Sequence, residues 1–332
     1  MYRCGGAERM WQMKKQLRMK VIVNPKAGRK LIQQNLEPII GRLIVSGTVR
    51  EVDVFHTTAR EDAMREAARL KSGEYDLLLA AGGDGTINEV INGLMQGGAD
   101  IPLAVLAAGT VNDFSYAMGL PTKPDEYADM IAECYTRRID LGLANGRYFA
   151  NVAAFGVFSD VPLRTRQADK NSIGRYAYYL QALRDLPFEL YASRKMLVEV
   201  EFDGQKLVDG FGLCMVGNTT SVGGMRTILG DAKPDDGLLD VLLFRHPYAA
   251  AQGVVQGLKS LEFPPGATEY LQARSLRFNV ISDEPRLLDL DGEEHGTLPA
   301  DISVVPQALT LLVPRPQSPE EAEMPMLITH LQ

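Results

Sequence analysis

The first third of the chain alternates short apolar runs with amphipathic segments, and this pattern constrains the fold more than any other feature. Four runs have the length of buried strands, at residues 19–23, 49–55, 75–81 and 101–106. After the third run, apolar residues recur at helical spacing, at Ile87, Val90, Ile91 and Leu94. Regular alternation of strand and helix predicts a doubly wound, mainly parallel sheet. We therefore expect an α/β domain at residues 18–136.

The second half of the chain shows a different pattern of apolar runs and turns. Asn145-Gly146 and Asp203-Gly204 each separate two strand-like runs, as the tight turns of β-hairpins do. Further strands are expected at residues 197–202, 212–216, 238–244, 276–281, 286–290 and 302–305, and helices at 175–186 and 248–261. This pattern is typical of a mainly antiparallel β-sandwich. The remaining segments are an N-terminal extension at 1–17, the sandwich at 137–306 and a C-terminal segment at 307–332.

Charge and cysteine content argue against several classes of protein. The net charge of −7 disfavours a nucleic-acid binder, which usually has a basic face. The three cysteines lie far apart and form no CxxC pair, which favours reduced thiols over a disulfide framework. No apolar run approaches the roughly 18 residues needed to span a bilayer, and the N-terminus lacks the apolar core of a signal peptide. We therefore expect a cytoplasmic protein.

The most informative motif is the sequence GGDGTINE at residues 82–89, between the third predicted strand and its helix. Glycines let backbone N–H groups approach a polyphosphate, and the helix adds its positive N-terminal end. A glycine-rich turn at this position can also be purely structural. Asp84 shifts the balance, because a carboxylate beside phosphates requires a cation between them. The motif therefore predicts a polyphosphate site with Mg²⁺.

Two further polar segments follow the first and fourth predicted strands. The sequence NPKAG at residues 24–28 contains an ordinary turn signal, and GTVNDF at residues 109–114 is also compatible with a capped helix start. Loops that follow parallel strands lie at the same edge of the sheet, where open α/β folds bind ligands. We therefore expect all three loops to converge on one site.

Two acidic segments lie in the predicted β domain. The sequences LDLDGEE at residues 288–294 and DAKPDDGLLD at residues 231–240 both place acidic residues before a glycine. Such clusters commonly form exposed turns, and this interpretation stays open for both.

These five motifs resemble those of a known enzyme family. In chain order, NPKAG, GGDGTINEV, GTVNDF with the trailing MGLP, GDAKPDDGLLDV and LDLDGEE are similar to the motifs of the bacterial soluble diacylglycerol kinases, a lipid kinase family with sphingosine-kinase-like members. GGDGT alone is shared with NAD kinases, whereas GGDGTINEV together with GTVNDF is specific. Lys26, Ala27 and Asp289 depart from the residues frequent in the family.

The resemblance implies an ATP-dependent lipid kinase whose active site lies in the cleft between the domains. The implied nucleotide contacts are Asn24, Pro25, Lys26, Ala27, Gly28, Thr57, Gly83, Asp84, Gly85, Thr86, Ile87, Asn88, Glu89 and Thr110. Asp84 and Asp113 would hold the nucleotide Mg²⁺ through water. Asp291 would accept the proton of the lipid hydroxyl, with Glu293 as its partner or its competitor for that role. Diacylglycerol, which would give phosphatidic acid, is the leading acceptor.

The resemblance also implies features away from the reaction centre. A second, structural Mg²⁺ would be held by Asp236 and the backbone carbonyls of Lys233 and Leu238. Residues 309–314 would return to pack on the first domain. The enzyme would work as a peripheral protein at the inner face of the membrane, with residues 157–175 as a candidate docking surface, and a homodimer is compatible with the sequence.

Two rival functions remain at this point. An NAD kinase would use a related cleft but lacks the GTVNDF motif. A non-catalytic nucleotide- or lipid-binding module would keep the fold and lose Asp84 or Asp291, and both are present.

Overall fold

A computed structural model of the chain describes residues 16–109, 111–156, 196–222, 228–230, 232–245, 266–281 and 285–316. Its first part is a parallel sheet in the strand order β2-β1-β3-β4. The strands are β1 Leu17–Val23, β2 Val49–His56, β3 Leu77–Gly82 and β4 Leu103–Ala107. The helices are α1 Arg29–Val45, α2 Asp62–Arg69, α3 Asp84–Gly97, α4 Asp113–Ala117 and α5 Pro124–Glu133. The predicted α/β domain is confirmed.

The sequence of the central strands explains their position in this sheet. All six residues of β3 are buried, because helices cover the sheet and leave no polar face. Helix α3 packs closely on α2, since a Cβ on Gly93 would lie only 2.3 Å from the Met64 carbonyl oxygen. Helix α3 ends where Gly98 takes a left-handed conformation, with φ of 66°, and donates to the Leu94 carbonyl.

The second part of the chain forms two packed sheets. Six further strands extend the parallel sheet through antiparallel pairs, so that the whole sheet has ten strands. They are β5 Thr136–Ala144, β6 Arg147–Phe149, β8 Met196–Phe202, β9 Gln205–Phe211, β13 Ser275–Val280 and β16 Ala300–Leu312. A six-stranded sheet contains β12 Thr268–Ala273, β11 Leu239–Phe244, β10 Leu213–Gly217, β7 Val152–Gly156, β14 Leu287–Leu290 and β15 Glu293–Thr297, in this spatial order. A second apolar core lies between the sheets. The predicted antiparallel sandwich is confirmed.

Strand β16 belongs to both parts of the molecule. Its beginning lies in the second core through Ile302, whereas Leu309 and Leu311 lie in the first core, and Leu311 pairs with Leu103 of β4. Residues 309–313 therefore pack on the first domain, as expected. The strand runs through residues 306 and 307, where the sequence suggested a boundary. A bulge at Gln307, with φ of 49°, shifts its register there.

The hairpin turns agree with the sequence-based expectations, whereas two of the strands do not. Both predicted hairpin turns are present, with Asn145 and Asp203 at φ of 47° and 46°. Strands β12 and β15 were not predicted, because these edge strands of the six-stranded sheet are rich in polar residues and lack an apolar run. The helices expected at 175–186 and 248–261, the docking surface at 157–175 and most of the N-terminal extension lie outside the described residues.

Candidate active site

The loops after β1, β3 and β4 meet at one edge of the sheet, as the sequence predicted. Gly28 in the first loop lies against the third loop, where a Cβ on Gly28 would lie 2.0 Å from the Ala108 carbonyl oxygen. A Cβ on Gly109 would similarly lie 3.1 Å from the Cα of Gly83. The Ala108 N–H donates to the Gly82 carbonyl at 2.7 Å. The loops approach this closely because the glycines have no side chain.

Asn24 ties the first loop to the start of α3. Its Oδ1 accepts the N–H of Lys26 at 3.0 Å, and its Nδ2 donates to Thr86 Oγ1 at 3.1 Å. Pro25 and Lys26 remain exposed and Ala27 is half-buried. The outer side of this loop is therefore accessible to a ligand.

Other predicted nucleotide residues are arranged differently. Thr57 is buried at the end of β2, and its N–H donates to the Val23 carbonyl at 2.9 Å. Thr86, Ile87 and Asn88 are also buried. Contacts from this part of the motif would therefore have to come from backbone N–H groups at the start of α3. Thr110 lies outside the described residues.

Asp84 is the first residue of α3 and carries a perturbed carboxyl group. Burial and the negative charge of Asp113 raise its pKa to about 7, against the N–H of Asn112, which donates to Oδ2 at 3.2 Å. Among the described residues, the buried Oδ1 of Asp84 and the buried Oδ1 of Asn112 have no hydrogen-bond donor. Asp113 accepts the hydroxyl of Ser221 at 2.6 Å. Oxygen ligands in such an environment suit a hard cation.

Asp291 sits in the turn between β14 and β15, in a left-handed conformation with φ of 49°. Its Oδ1 accepts the N–H groups of Asn151 and Val152, both at 2.9 Å. Its Oδ2 accepts the N–H of Ala150 at 2.7 Å and the Nδ2 of Asn88 at 2.9 Å. Burial raises the pKa of Asp291, and these donors oppose the rise. Four donors fill the acceptor positions of one carboxylate.

Asn92 and Asn88 join α3 to the second domain. Asn92, which is fully buried, donates to the Tyr148 carbonyl at 2.9 Å and accepts the Tyr148 N–H at 3.0 Å. Asn88 donates to the same carbonyl at 3.2 Å as well as to Asp291. Asn88 of the glycine-rich motif therefore contacts the Asp291 turn directly, and Asn92 supports Asn88 from the next turn of the helix. The sequence did not reveal this role, since a polar residue in an amphipathic helix is usually exposed.

Glu293 follows in β15 and reaches the first domain. Its Oε2 accepts from Arg60 Nη2 at 2.9 Å, and His295 Nε2 lies 3.7 Å from the same oxygen. Its Oε1 would lie 3.1 Å from a Cβ placed on Gly85. The Glu293 carboxylate therefore lies above the glycine-rich turn.

The loop at residues 233–238 lies against β5, where the Asp140 N–H donates to the Pro234 carbonyl. Asp236 Oδ1 accepts the N–H of Leu238 at 3.0 Å, and Lys233 is exposed. Asp140 in β5 holds this loop, because its carboxylate accepts the N–H of Gly237 at 2.7 Å. Burial, together with nearby carboxylates, raises the pKa of both Asp236 and Asp140. In the part of the chain that the structure describes, no three His, Cys, Asp or Glu side chains are grouped to hold a metal ion, so a cation here would need backbone carbonyls.

The segment directly after β10 connects this loop to Asp113. Asn218 Nδ2 donates to the carbonyls of Asp140 at 2.8 Å and Ala150 at 3.1 Å, and Ser221 contacts Asp113. Sequence reasoning missed Asn218, Ser221 and Asp140. The sequence did contain signals for them: Asn218 and Ser221 belong to a polar run that follows an apolar strand, and Asp140 is a carboxylate inside an apolar strand.

Helices able to cross a bilayer are lacking among the described residues. Comparison with known proteins gives two consecutive family matches. Residues 18–144 match the model of the diacylglycerol kinase catalytic domain, and residues 151–313 match that of the YegS C-terminal NAD kinase beta sandwich-like domain. The first match extends through β5, which pairs in antiparallel fashion with β16, and the second begins just before β7.

Proteins and solved structures that are similar over nearly the whole chain are also named diacylglycerol kinases. A diacylglycerol kinase of Staphylococcus epidermidis is 33% identical over 304 residues, which are 92% of this chain and 94% of the relative. A diacylglycerol kinase of Bacillus subtilis is 32% identical, over 90% and 97% of the two chains. The crystal structure of a diacylglycerol kinase from Bacillus anthracis has a TM-score of 0.71 at 26% identity, covering 89% of this chain and 96% of that one. By sequence and by fold, the chain belongs to the diacylglycerol kinase family of lipid kinases.

Proposed function

We propose that this protein transfers the γ-phosphate of ATP to the hydroxyl of a membrane lipid, with diacylglycerol as acceptor and phosphatidic acid as product. The observation that carries the proposal is the position of two groups. The acidic pair Asp84 and Asp113 lies at the glycine-rich turn, and the Asp291–Glu293 turn lies against the same motif, with Asn88 bonded to Asp291 and Glu293 above Gly85. The relatives named diacylglycerol kinase support the choice of acceptor.

The nucleotide would lie against the three converging loops, with Mg²⁺ near Asp84 and Asp113. Asp84 fits this ion, because its buried Oδ1 lacks a donor among the described residues, and burial together with the charge of Asp113 raises its pKa to about 7. When bound, the cation neutralises charge on the transferring phosphate. The backbone N–H groups at the start of α3 would orient that phosphate.

Two carboxylates compete to accept the proton of the lipid hydroxyl. Asp291 was the first choice from sequence, but all four of its acceptor positions are occupied. It can take a proton only by giving up one of these hydrogen bonds. Glu293 lies directly above Gly85, where the phosphate would be. We therefore assign the proton acceptor to Glu293, and give Asp291 the task of holding residues 150–152 in place.

Further parts of the proposal concern assembly and a second ion. The loop with Lys233, Asp236 and Leu238 would hold a structural Mg²⁺, and a cation there would offset the burial and the nearby carboxylates that raise the pKa of Asp236. The protein would act as a peripheral enzyme on the inner face of the cytoplasmic membrane, and a homodimer is part of the same proposal.

The acceptor must be met at the membrane surface. Burial of acyl carbon is worth about 0.8 kcal/mol per CH₂, so lifting a diacyl lipid with ~30 such groups into water would cost on the order of 24 kcal/mol. This exceeds the roughly 18–21 kcal/mol ceiling of non-covalent binding. The lipid hydroxyl would therefore reach the cleft while the acyl chains stay in apolar surroundings.

The test is a phosphorylation assay with labelled ATP and Mg²⁺. Purified protein is offered diacylglycerol, monoacylglycerol, phosphatidylglycerol, a sphingoid base and a polyprenol in mixed micelles, with NAD as a water-soluble acceptor. We expect labelled phosphatidic acid as the main product and no product without Mg²⁺. Labelling of NAD would favour the rival enzyme, and ATP binding without transfer to any acceptor would favour a binding module.

A further inference from the structure

The loop between β2 and α2 carries a positively charged side chain, Arg60, that contacts the second domain. Arg60 Nη2 donates to Glu293 Oε2 at 2.9 Å, and the two residues are 233 positions apart in the chain. The Arg60 side chain keeps 68% of its surface exposed and Glu293 keeps 33%. Exposed ion pairs contribute little to folding stability. The effect of this pair is therefore expected in the site rather than in the stability of the fold.

The backbone around Arg60 is held from both sides. Asp62 Oδ2 accepts the N–H and the hydroxyl of Thr58, both at 2.8 Å. Glu89 in α3 accepts the N–H of Glu61 at 2.9 Å. Because Glu89 belongs to the glycine-rich motif, these contacts set the Arg60 backbone relative to the turn at Gly83–Gly85.

Glu293 stands where an incoming polyphosphate would repel it. Its Oε1 would lie 3.1 Å from a Cβ on Gly85, next to the N-terminal end of α3 where phosphate is favoured. A phosphate bound at this helix end would carry the same charge as the Glu293 carboxylate, and the two would repel each other. A guanidinium paired with Oε2 keeps the carboxylate in place against that repulsion. His295, at 3.7 Å, can assist only when it is protonated.

We propose that Arg60 is a positioning residue for phosphoryl transfer, an inference that rests on the function proposed above. Its guanidinium holds Glu293 above the glycine-rich turn while the terminal phosphates of ATP occupy that turn. Arg60 lies outside all five motifs, so this contact adds a residue that the motifs do not contain.

The test is a double-mutant cycle in steady-state kinetics. Turnover and the KM for ATP are measured for the wild type, Arg60→Ala, Glu293→Gln and the double variant, with diacylglycerol micelles and Mg²⁺. We expect Arg60→Ala to lower kcat about ten- to a hundredfold, as misplacement of a reacting group does, with a smaller change in KM. The same substitution in the Glu293→Gln background should have little further effect on kcat. Arg60→Lys, which keeps the charge without the planar fork, should recover part of kcat.

A matched control separates positioning from loss of charge. Arg69→Ala removes an equally exposed arginine from α2, whose neighbour Glu66 at 3.8 Å belongs to the same helix. Equal losses of kcat for Arg60→Ala and Arg69→Ala would overturn the inference, as would an undiminished effect of Arg60→Ala in the Glu293→Gln background. A large drop in melting temperature for Arg60→Ala would assign it a structural role instead. A wild type without lipid kinase activity would overturn the proposed function together with this inference, whereas an active wild type isolates the failure to Arg60.

Discussion

Replacing Asp291 by asparagine separates two roles that sequence reasoning could not distinguish. Asparagine keeps the shape of the side chain but offers one acceptor oxygen and one NH₂ group. In the folded protein the carboxylate faces four donors, two on each oxygen. The new NH₂ group would face two of them, either the pair from Asn151 and Val152 or the pair from Ala150 and Asn88. The Asn88 amide cannot turn its oxygen toward the new NH₂ group without losing a hydrogen bond, since its Oδ1 already accepts from Asn92 at 3.0 Å.

The magnitude follows from the number of donors left without an acceptor. Each buried donor that loses its partner costs about 1–3 kcal/mol, so the two together would cost roughly 2–6 kcal/mol. This is a large share of the roughly 5–15 kcal/mol that stabilises a typical domain. Turnover should also fall, by ~10²–10⁴-fold, because the turn that carries Glu293 is no longer held in place.

The assay combines urea unfolding, followed by circular dichroism, with turnover and ATP binding of the same proteins. Glu293→Gln is the matched control, because its carboxylate is partly exposed and its loss should change turnover by ~10²–10⁴-fold with little change in unfolding free energy. An Asp291→Asn variant with an unchanged unfolding free energy and a turnover reduced more than a hundredfold would refute the reasoning. It would return the role of proton acceptor to Asp291.

Three further predictions follow from the acidic groups and the substrate. The pKa of Asp84 is about 7 in the folded protein and about 3.9 in the unfolded chain, so its contribution to stability is complete below about pH 4 and is lost as the pH rises through 7. Urea unfolding in EDTA should show a loss of unfolding free energy of up to about 4 kcal/mol over this pH range, and added Mg²⁺ should make the loss smaller. Asp236→Ala should lower the melting temperature and abolish the stabilisation by Mg²⁺ without nucleotide, and an unchanged Mg²⁺ response would leave a plain turn at this loop. Rates should follow the mole fraction of diacylglycerol in mixed micelles, and equal rates on a short-chain acceptor below its micelle concentration would contradict the need for an interface.

The sequence by itself determined the architecture and the loops that meet at the site. Strand and helix alternation in the first third predicted the parallel sheet, because each period reports the environment of a local segment. Glycine positions also had a local meaning, and Gly28, Gly83 and Gly109 do lie where the loops touch. The motifs were sufficient for the resemblance to the diacylglycerol kinases.

Only the tertiary structure decided what the polar side chains of these motifs do. Asn88 was expected at the nucleotide, yet it is buried and donates to Asp291, and Glu89 holds the loop that carries Arg60. These partners lie 203 and 28 positions away in the chain, and no local pattern encodes such a distance. The capacity of Asp291 to act as a base depends on how many N–H groups surround it, and three of these are backbone groups of residues 150–152. Every residue except proline carries such a donor, so sequence cannot reveal where folding places it.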